Sequence, residues 1–456
     1  MRPEIRQLWH SWNRMRAASK ATPAMPPSEL TTATMPPSEL TTLASRISAL
    51  TTELTTLLTA ANAPSPSLTS LTAPETYPPD EAAQATRLAL IDAATQLRDL
   101  AIGPAEWWKM AALTCTDDLM LLTVFTETAL WTAVPLSGPG ISHASLSAKT
   151  GIPPRLLARL LRHAMTLGLF TSTNAELITH TPLSATVCRN EGIRSFLGHC
   201  TDEVARGIPF ATAVAREEGE GPKVGRTVVA RALWPGCGDE VGFWKFLEEE
   251  PWRVERFGRA MRGMGVSMAS LVEGFAWGGL GEGLVVDVGG SLGHVSCAIA
   301  AVNPDLKFVV QDVPKLAAEF ESVRPVEFRD RVSFQAHDFF AEQPVRGADV
   351  YLFKHILHDW ADAYALRIIR ALVPALKTGA RIVVFDAVLP PRGVLPNHAE
   401  RLVTALDLQM WMVLGARERS AEMWRELFSA ADSRLSVVGI KLVDGGMGIV
   451  EVEFKG

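Results

Sequence analysis

The chain has 456 residues, with 44 Lys and Arg against 50 Asp and Glu and a formal net charge of −6. Its 47% hydrophobic and 21% charged residues suit a globular protein of two or three domains with a large core. The acidic balance argues against an electrostatic nucleic-acid binder, no run of 18 uncharged apolar residues offers a membrane span, and Cys115, Cys188, Cys200, Cys237 and Cys297 form no CxxC pair, which implies reduced thiols and a cytoplasmic setting.

Residues 1–20 hold four arginines, one lysine, one acid and two tryptophans, without the apolar core of a secretory signal. They read as a solvated arm or a helix on a partner, the alternative being a mitochondrial presequence. The octapeptide MPPSELTT then occurs at Met25 and again at Met35, a duplication in a tether. Leu40, Leu43, Ile47, Leu50, Leu54 and Leu57 predict an amphipathic helix begun by Pro36-Pro37-Ser38. Residues 61–79 are a Pro/Ser/Thr-rich linker, and 80–134 are helical in pattern. Within them 120–131 is apolar on most sides, with Glu127 its one charge, so deep burial is expected.

Residues 145–148, the turn Thr150-Gly151-Ile152-Pro153, a helix over 154–168 and two strands within 169–178 predict a helix–turn–helix with a wing. Arg155, Arg159, Arg162 and His163 raise the alternative of a DNA-binding regulator. Leu156, Leu157, Leu160 and Leu161 on the other face, the acidic chain and the absence of a following basic arm oppose it. Residues 192–268 carry Phe196, Phe210, Trp234, Trp244, Trp252, Phe257, Met261 and Met264, flat or soft side chains suited to core or to an apolar pocket. Residues 217–225 read as a loop.

From residue 284 the pattern changes to alternating strands and helices. Leu284-Val285-Val286-Asp287-Val288 runs into Gly289-Gly290-Ser291-Leu292-Gly293, the way a buried parallel strand meets a nucleoside-bearing cofactor. A helix over 297–302 and a second strand over 306–310 follow, and Asp312 stands 25 residues after Asp287, where an acid can hold ribose hydroxyls. Strands over 332–336, 348–353 and 381–385 end near His337-Asp338-Phe339, Lys354-His355-Ile356-Leu357-His358-Asp359-Trp360 and Asp386. Polar residues thus gather at the C-terminal ends of successive strands, where open α/β sheets bind ligands. Asp359 suits the N-cap of a helix starting at Trp360. His337, Asp338, His355 and His358 lack a metal-site spacing, and no metal is expected.

The motifs VVDVGGSLGH, VVQDVP, HDFF, FKHILHDW, IVVFDAVLP and DLQMWMVLGARERSAEMW, in this order, resemble the S-adenosylmethionine-dependent O-methyltransferases of the plant caffeate and fungal polyketide type. The resemblance covers roughly residues 250–456 and extends through PWRVERFGRAMRGMG and the winged segment to about residue 110. It implies an α/β fold in three parts: an arm over 1–64, a helical dimerisation and winged-helix region over 65–270, and a Rossmann-like domain over 271–456. Asp287, Gly289, Gly290 and Gly293 would shape the turn around S-adenosylmethionine, Asp312 would bind its ribose, Asp338 and Phe339 would meet its adenine, and Lys354 would lie near it. His358 matches the general base, framed by Asp386 and Glu418, either of which could orient the imidazole. Met261, Met264, Trp360, Met410 and Trp411 would line the pocket of an aromatic or polyketide-type hydroxyl acceptor. A homodimer is implied, with neither nucleic acid nor membrane as partner.

Three positions depart from the pattern. Ser291 replaces a frequent glycine, tolerable if its φ is negative. Asp386 is one methylene shorter than the usual glutamate. Gly258 and Met264 replace polar side chains, pointing to a more apolar substrate. A second chemistry also fits the resemblance: some relatives keep the cofactor and catalyse pericyclic or dehydration steps on quinone methides, and His358, Asp359 and Glu418 are compatible with either.

Overall fold

The computed structural model describes residues 38–173, 176–217, 224–234, 242–263, 268–443 and 446–456. The expectations for residues 1–37, Cys237 and Met264, and most of the loop at 217–225, lie outside these. From Leu43 onward the described residues form one unit, and none of their helices is long and apolar enough to cross a membrane.

The leucine stripe forms helix Glu39–Ala60, with Leu43, Leu54 and Leu58 buried and Leu40 left exposed. Leu54 and Leu58 pack on Ala83 of helix Glu81–Ile102, whose N-cap Asp80 accepts the Ala83 N–H. Helix Pro104–Glu127 follows. The deep burial expected over 120–131 is corrected. Leu121, Phe125, Leu130 and Trp131 are buried, but Met120 is 44% exposed, and the helix breaks at Ala129, whose φ is +52°.

The winged module consists of helices His143–Thr150 and Pro154–Thr166 with strands β1 (Phe170–Ser172) and β2 (Ile178–His180), paired antiparallel. Leu157, Leu160, Leu161 and Ala164 pack on Phe125, Trp131, Phe170 and Ile178. Leu156 faces outward instead, so the buried face is narrower than its sequence pattern implies. Arg155, Arg159 and Arg162 are exposed, while the His163 ring is tied back to Asp118 at 2.9 Å.

Helices Glu191–His199 and Pro251–Gly263 cross at two glycines: a Cβ on Gly263 would lie 2.4 Å from the Gly192 backbone. The first continues into a π-helical turn, Cys200–Val204, that buries Asp202 and Glu203 against Arg253 and Arg256.

The remainder is one sheet. Strands β3 (Leu284–Val288), β4 (Lys307–Asp312), β5 (Val332–Ala336), β6 (Val350–Lys354) and β7 (Arg381–Leu389) are parallel, in the order β5-β4-β3-β6-β7. β8 (Arg419–Ser420) pairs with the end of β7. β10 (Met447–Phe454) lies antiparallel between β7 and β9 (Leu435–Leu442). Successive side chains face opposite cores, as the period of a strand requires: Val286 and Val288 join Val384, Trp424 and Val450 on one side, and Val285 joins Phe308, Leu352, Phe385 and Ile449 on the other. The chain reverses direction across the sheet between β3 and β6, where doubly wound sheets open a ligand crevice.

Candidate active site

Asp287 is the next-to-last residue of β3 and Lys354 ends β6, so the two flank that crevice. The Ser296 hydroxyl donates to Asp287 Oδ2 at 2.7 Å. Burial pushes the Asp287 carboxyl up to about 6, against the opposing pull of Ser296 and Lys354. Gly290 is required beside it, because a Cβ there would come within 2.5 Å of the Asp287 carboxyl carbon. Gly289, with φ of +73°, passes Ile356 equally closely, and Gly293, with φ of +71°, opens helix His294–Val302.

Asp312 stands at the end of β4 and accepts the N–H groups of Ser291 at 2.8 Å and Val313 at 2.7 Å. Ser291 has a φ of +51°, so the condition of a negative φ is not met. The bond from its N–H to Asp312 is what the structure sets against that strain. Burial raises the Asp312 carboxyl, and the two N–H donors oppose it. Asp338 caps its own turn by accepting the Phe340 N–H at 2.9 Å. Phe339 and Phe340 stand edge-on to Trp360, with centroids 5.9 and 4.8 Å away. An acid with lone pairs to spare for hydroxyls, an aromatic ring on the next strand end and a turn that excludes Cβ atoms fit a nucleoside with a short amino-acid tail. These residues could therefore hold S-adenosylmethionine.

His358 lies in a short 3₁₀ turn, Leu357–Asp359, and is 8% exposed. Its Nδ1 meets Glu418 Oε1 at 2.8 Å, and its backbone N–H donates to Asp386 Oδ2 at 3.2 Å. The division between the two acids is thus settled geometrically: Glu418 faces the ring, and the shorter Asp386 holds the backbone. Asp386 also lies inside β7, which runs four residues past its expected end at Phe385 to Leu389. Asp359 is not a helix cap. The next helix, Asp362–Leu372, begins after Ala361, and Asp359 Oδ1 sits 3.4 Å from His358 Nε2. Burial alone would push the imidazole down, but Asp386, Glu418 and Asp359 outweigh it and raise His358 to about 10. Burial pushes Asp359 up to about 7, against the pull of His358. Asp386 Oδ1 and Glu418 Oε2 are buried without hydrogen-bond partners.

Arg419 is a site residue the sequence reading missed. Fully buried, it donates to the carbonyls of Leu357 and Trp360, both at 2.7 Å, and to Asp362. It therefore fixes the turn that carries His358. Its only signal in the sequence is its place directly after Glu418, in the charged run Arg417-Glu418-Arg419.

The acceptor candidates separate. Met261 is on helix Pro251–Gly263, 42% exposed. Trp360 packs with Phe339 and Phe340, and Met410 and Trp411 are on helix Asn397–Leu414. Met264 is outside the described residues. Trp411 lines a cavity of about 720 Å³ together with Val214, Thr227, Leu408, Glu418 and Met423. This cavity reaches His358 through Glu418, on its Nδ1 side.

A family model described as an O-methyltransferase domain matches residues 237–433. O-methyltransferase AMT9 of Alternaria alternata is 34% identical over 376 residues, 82% of this chain and 87% of that protein. Chlorophenol O-methyltransferase of Trichoderma longibrachiatum is 34% identical over 396 residues, 84% of this chain and 83% of that one. Among solved structures, OxaC in complex with sinefungin and meleagrin superposes with a TM-score of 0.72 at 22% identity, covering 91% of this chain and 99% of that one. A structure described as a pericyclic reaction enzyme gives 0.70 at 19% identity, covering 91% and 100%; at these identities both speak for the fold. By its sequence relatives and its architecture, the chain belongs to the O-methyltransferase family and uses S-adenosylmethionine as cofactor.

Proposed function

We propose that the chain methylates a hydroxyl oxygen of an aromatic or polyketide-type secondary metabolite, with His358 taking the proton. The observation that carries this reading is the buried ring of His358, held through Nδ1 by Glu418 at 2.8 Å. The cofactor supplies an activated methyl group when bound, so the protein must orient the acceptor and receive its proton. Glu418 fixes the Nδ1–H tautomer and stabilises the imidazolium, leaving Nε2 as the proton acceptor. Asp359 is the group nearest Nε2, and an incoming hydroxyl takes its place or shares it. A phenol ionises near 10, close to the value of about 10 that the three acids give His358, so transfer between them is nearly balanced. A base of that strength takes a phenol's proton readily, and only its deprotonated fraction is competent at neutral pH. A relative named for chlorophenol supports a phenolic acceptor.

Asp287, Asp312, Phe339 and Lys354 are the proposed cofactor contacts, and Met261, Met264, Trp360, Met410 and Trp411 the proposed acceptor contacts. The test is incubation with methyl-labelled S-adenosylmethionine and a panel of phenols, quinones and polyketide enols. Labelled product with equal S-adenosylhomocysteine is expected, and His358→Ala should lower turnover by roughly 10²–10⁴-fold with cofactor affinity within a few-fold. Substrate isomerised or dehydrated without S-adenosylhomocysteine would replace this reading with the pericyclic one.

A further inference from the structure

Lys354 and His355 are adjacent residues at the end of a strand, so their side chains should point to opposite faces of the sheet. They do not. His355 has a φ of +54°, a left-handed conformation uncommon outside glycine. Its ring is thereby turned back onto the face of Lys354. It stacks on Phe385 at 6.0 Å and 24°, a residue of the same core as Leu352, and its Nδ1 lies 3.3 Å from Lys354 Nζ. Its backbone N–H still reaches the Phe385 carbonyl at 3.1 Å, so the ladder with β7 survives the reversal. Strained backbone of this kind persists only where its surroundings enforce it, and it clusters at functional sites.

We propose that His355 is a positioning residue, which through Nδ1 holds the Lys354 ammonium at the crevice between β3 and β6 for the cofactor. The inference rests on the reading of Lys354 as a cofactor contact. The groups facing Lys354 are Asp287 from β3 and Asp386 from β7; those facing His355 are Lys354 and His358. An ammonium can only donate, so the neutral His355 ring carries its proton on Nε2 and accepts at Nδ1. Burial holds Lys354 below its usual range, with Asp287 and Asp386 opposing. Burial likewise keeps His355 well below its usual value, and the charges on Lys354 and His358 add to this. His355 therefore stays an acceptor, an uncharged ring between two cations. Without it, Lys354 loses its hydrogen-bond acceptor and releases its proton at lower pH.

The experiment is calorimetric titration of S-adenosylhomocysteine into the purified protein across a pH series, which needs no turnover. Native affinity falls as pH rises through the ionisation of Lys354. His355→Phe, which keeps the stack on Phe385, moves that fall to lower pH and weakens binding at neutral pH by roughly tenfold, the scale of one hydrogen bond to a charged group. His355→Asn tolerates the left-handed backbone, keeps an acceptor oxygen and recovers part of the loss. In a Lys354→Met background, His355→Phe has no further effect. Unchanged affinity in Lys354→Met alone would overturn the cofactor role of the lysine, and this inference with it. Loss in Lys354→Met, with the His355→Phe midpoint unmoved, would overturn the positioning role and leave the lysine's role standing.

Discussion

At the scale of single residues, the cluster around His358 holds more acid than base. Asp359, Asp386 and Glu418 surround one imidazole, and two of their oxygens have no partner. The pH consequence has a definite sign. As the proposed base, His358 raised to about 10 is mostly protonated at neutral pH, so kcat/KM should climb with pH through the neutral range and level off near that value. Glu418→Gln removes one of the charges that raise His358. Its profile should therefore level off at lower pH and at a lower plateau. A profile that does not move in Glu418→Gln would mean that the limb belongs to the acceptor's own hydroxyl. The sequence exposes His358 and Glu418 readily, because each sits in a recognisable run. It misleads at Asp359, where a good capping residue before a helix is diverted to the imidazole, and it does not reveal the left-handed backbone of Ser291 and His355, whose N–H groups bond Asp312 and the Phe385 carbonyl.

At the scale of elements, the parallel strands were legible because both of their faces are buried, which leaves apolar runs such as residues 284–286 and 350–353. Their ends were less so: β7 continues four residues past its expected end to Leu389, because β8 and β10 pair with that extension. β9 and β10 were not read at all. β9 is only partly buried and interrupted by Gly439, and β10 mixes glutamates with valines. The turn after β3 offers a test of strain. Ser291 is left-handed, and glycine takes that conformation freely. Ser291→Gly should raise stability by about 0.5–1 kcal/mol in chemical or thermal unfolding; a loss would mean that the serine side chain has a stabilising contact of its own. The glycine crossing of helices Glu191–His199 and Pro251–Gly263 is the opposite case. Gly263→Ala should cost about 1–3 kcal/mol, since the added methyl meets backbone that cannot swing aside.

At the scale of the whole molecule, helix Pro104–Glu127 leaves Trp107, Trp108, Met110, Leu113 and Met120 exposed. Single exposed apolar residues are ordinary, but several on one helix are where a partner surface is expected. With the implied homodimer, the expectation is that Trp108→Lys with Leu113→Lys shifts the protein toward monomer in sedimentation analysis. A dimer unchanged in mass would place the interface elsewhere.

The position of β10 has a consequence for how the enzyme is made. This strand is translated after every other member of the sheet, yet it is inserted beside β7, with Gly448 opposite Asp386 and with Val450 and Ile449 entering the two cores. While the ribosome still holds these residues in its exit tunnel, β7 has a bare edge and the acid behind His358 is open to water. The crevice between β3 and β6 can form before β10 has left the tunnel, but the surroundings of Asp386 and His358 are completed only once it has.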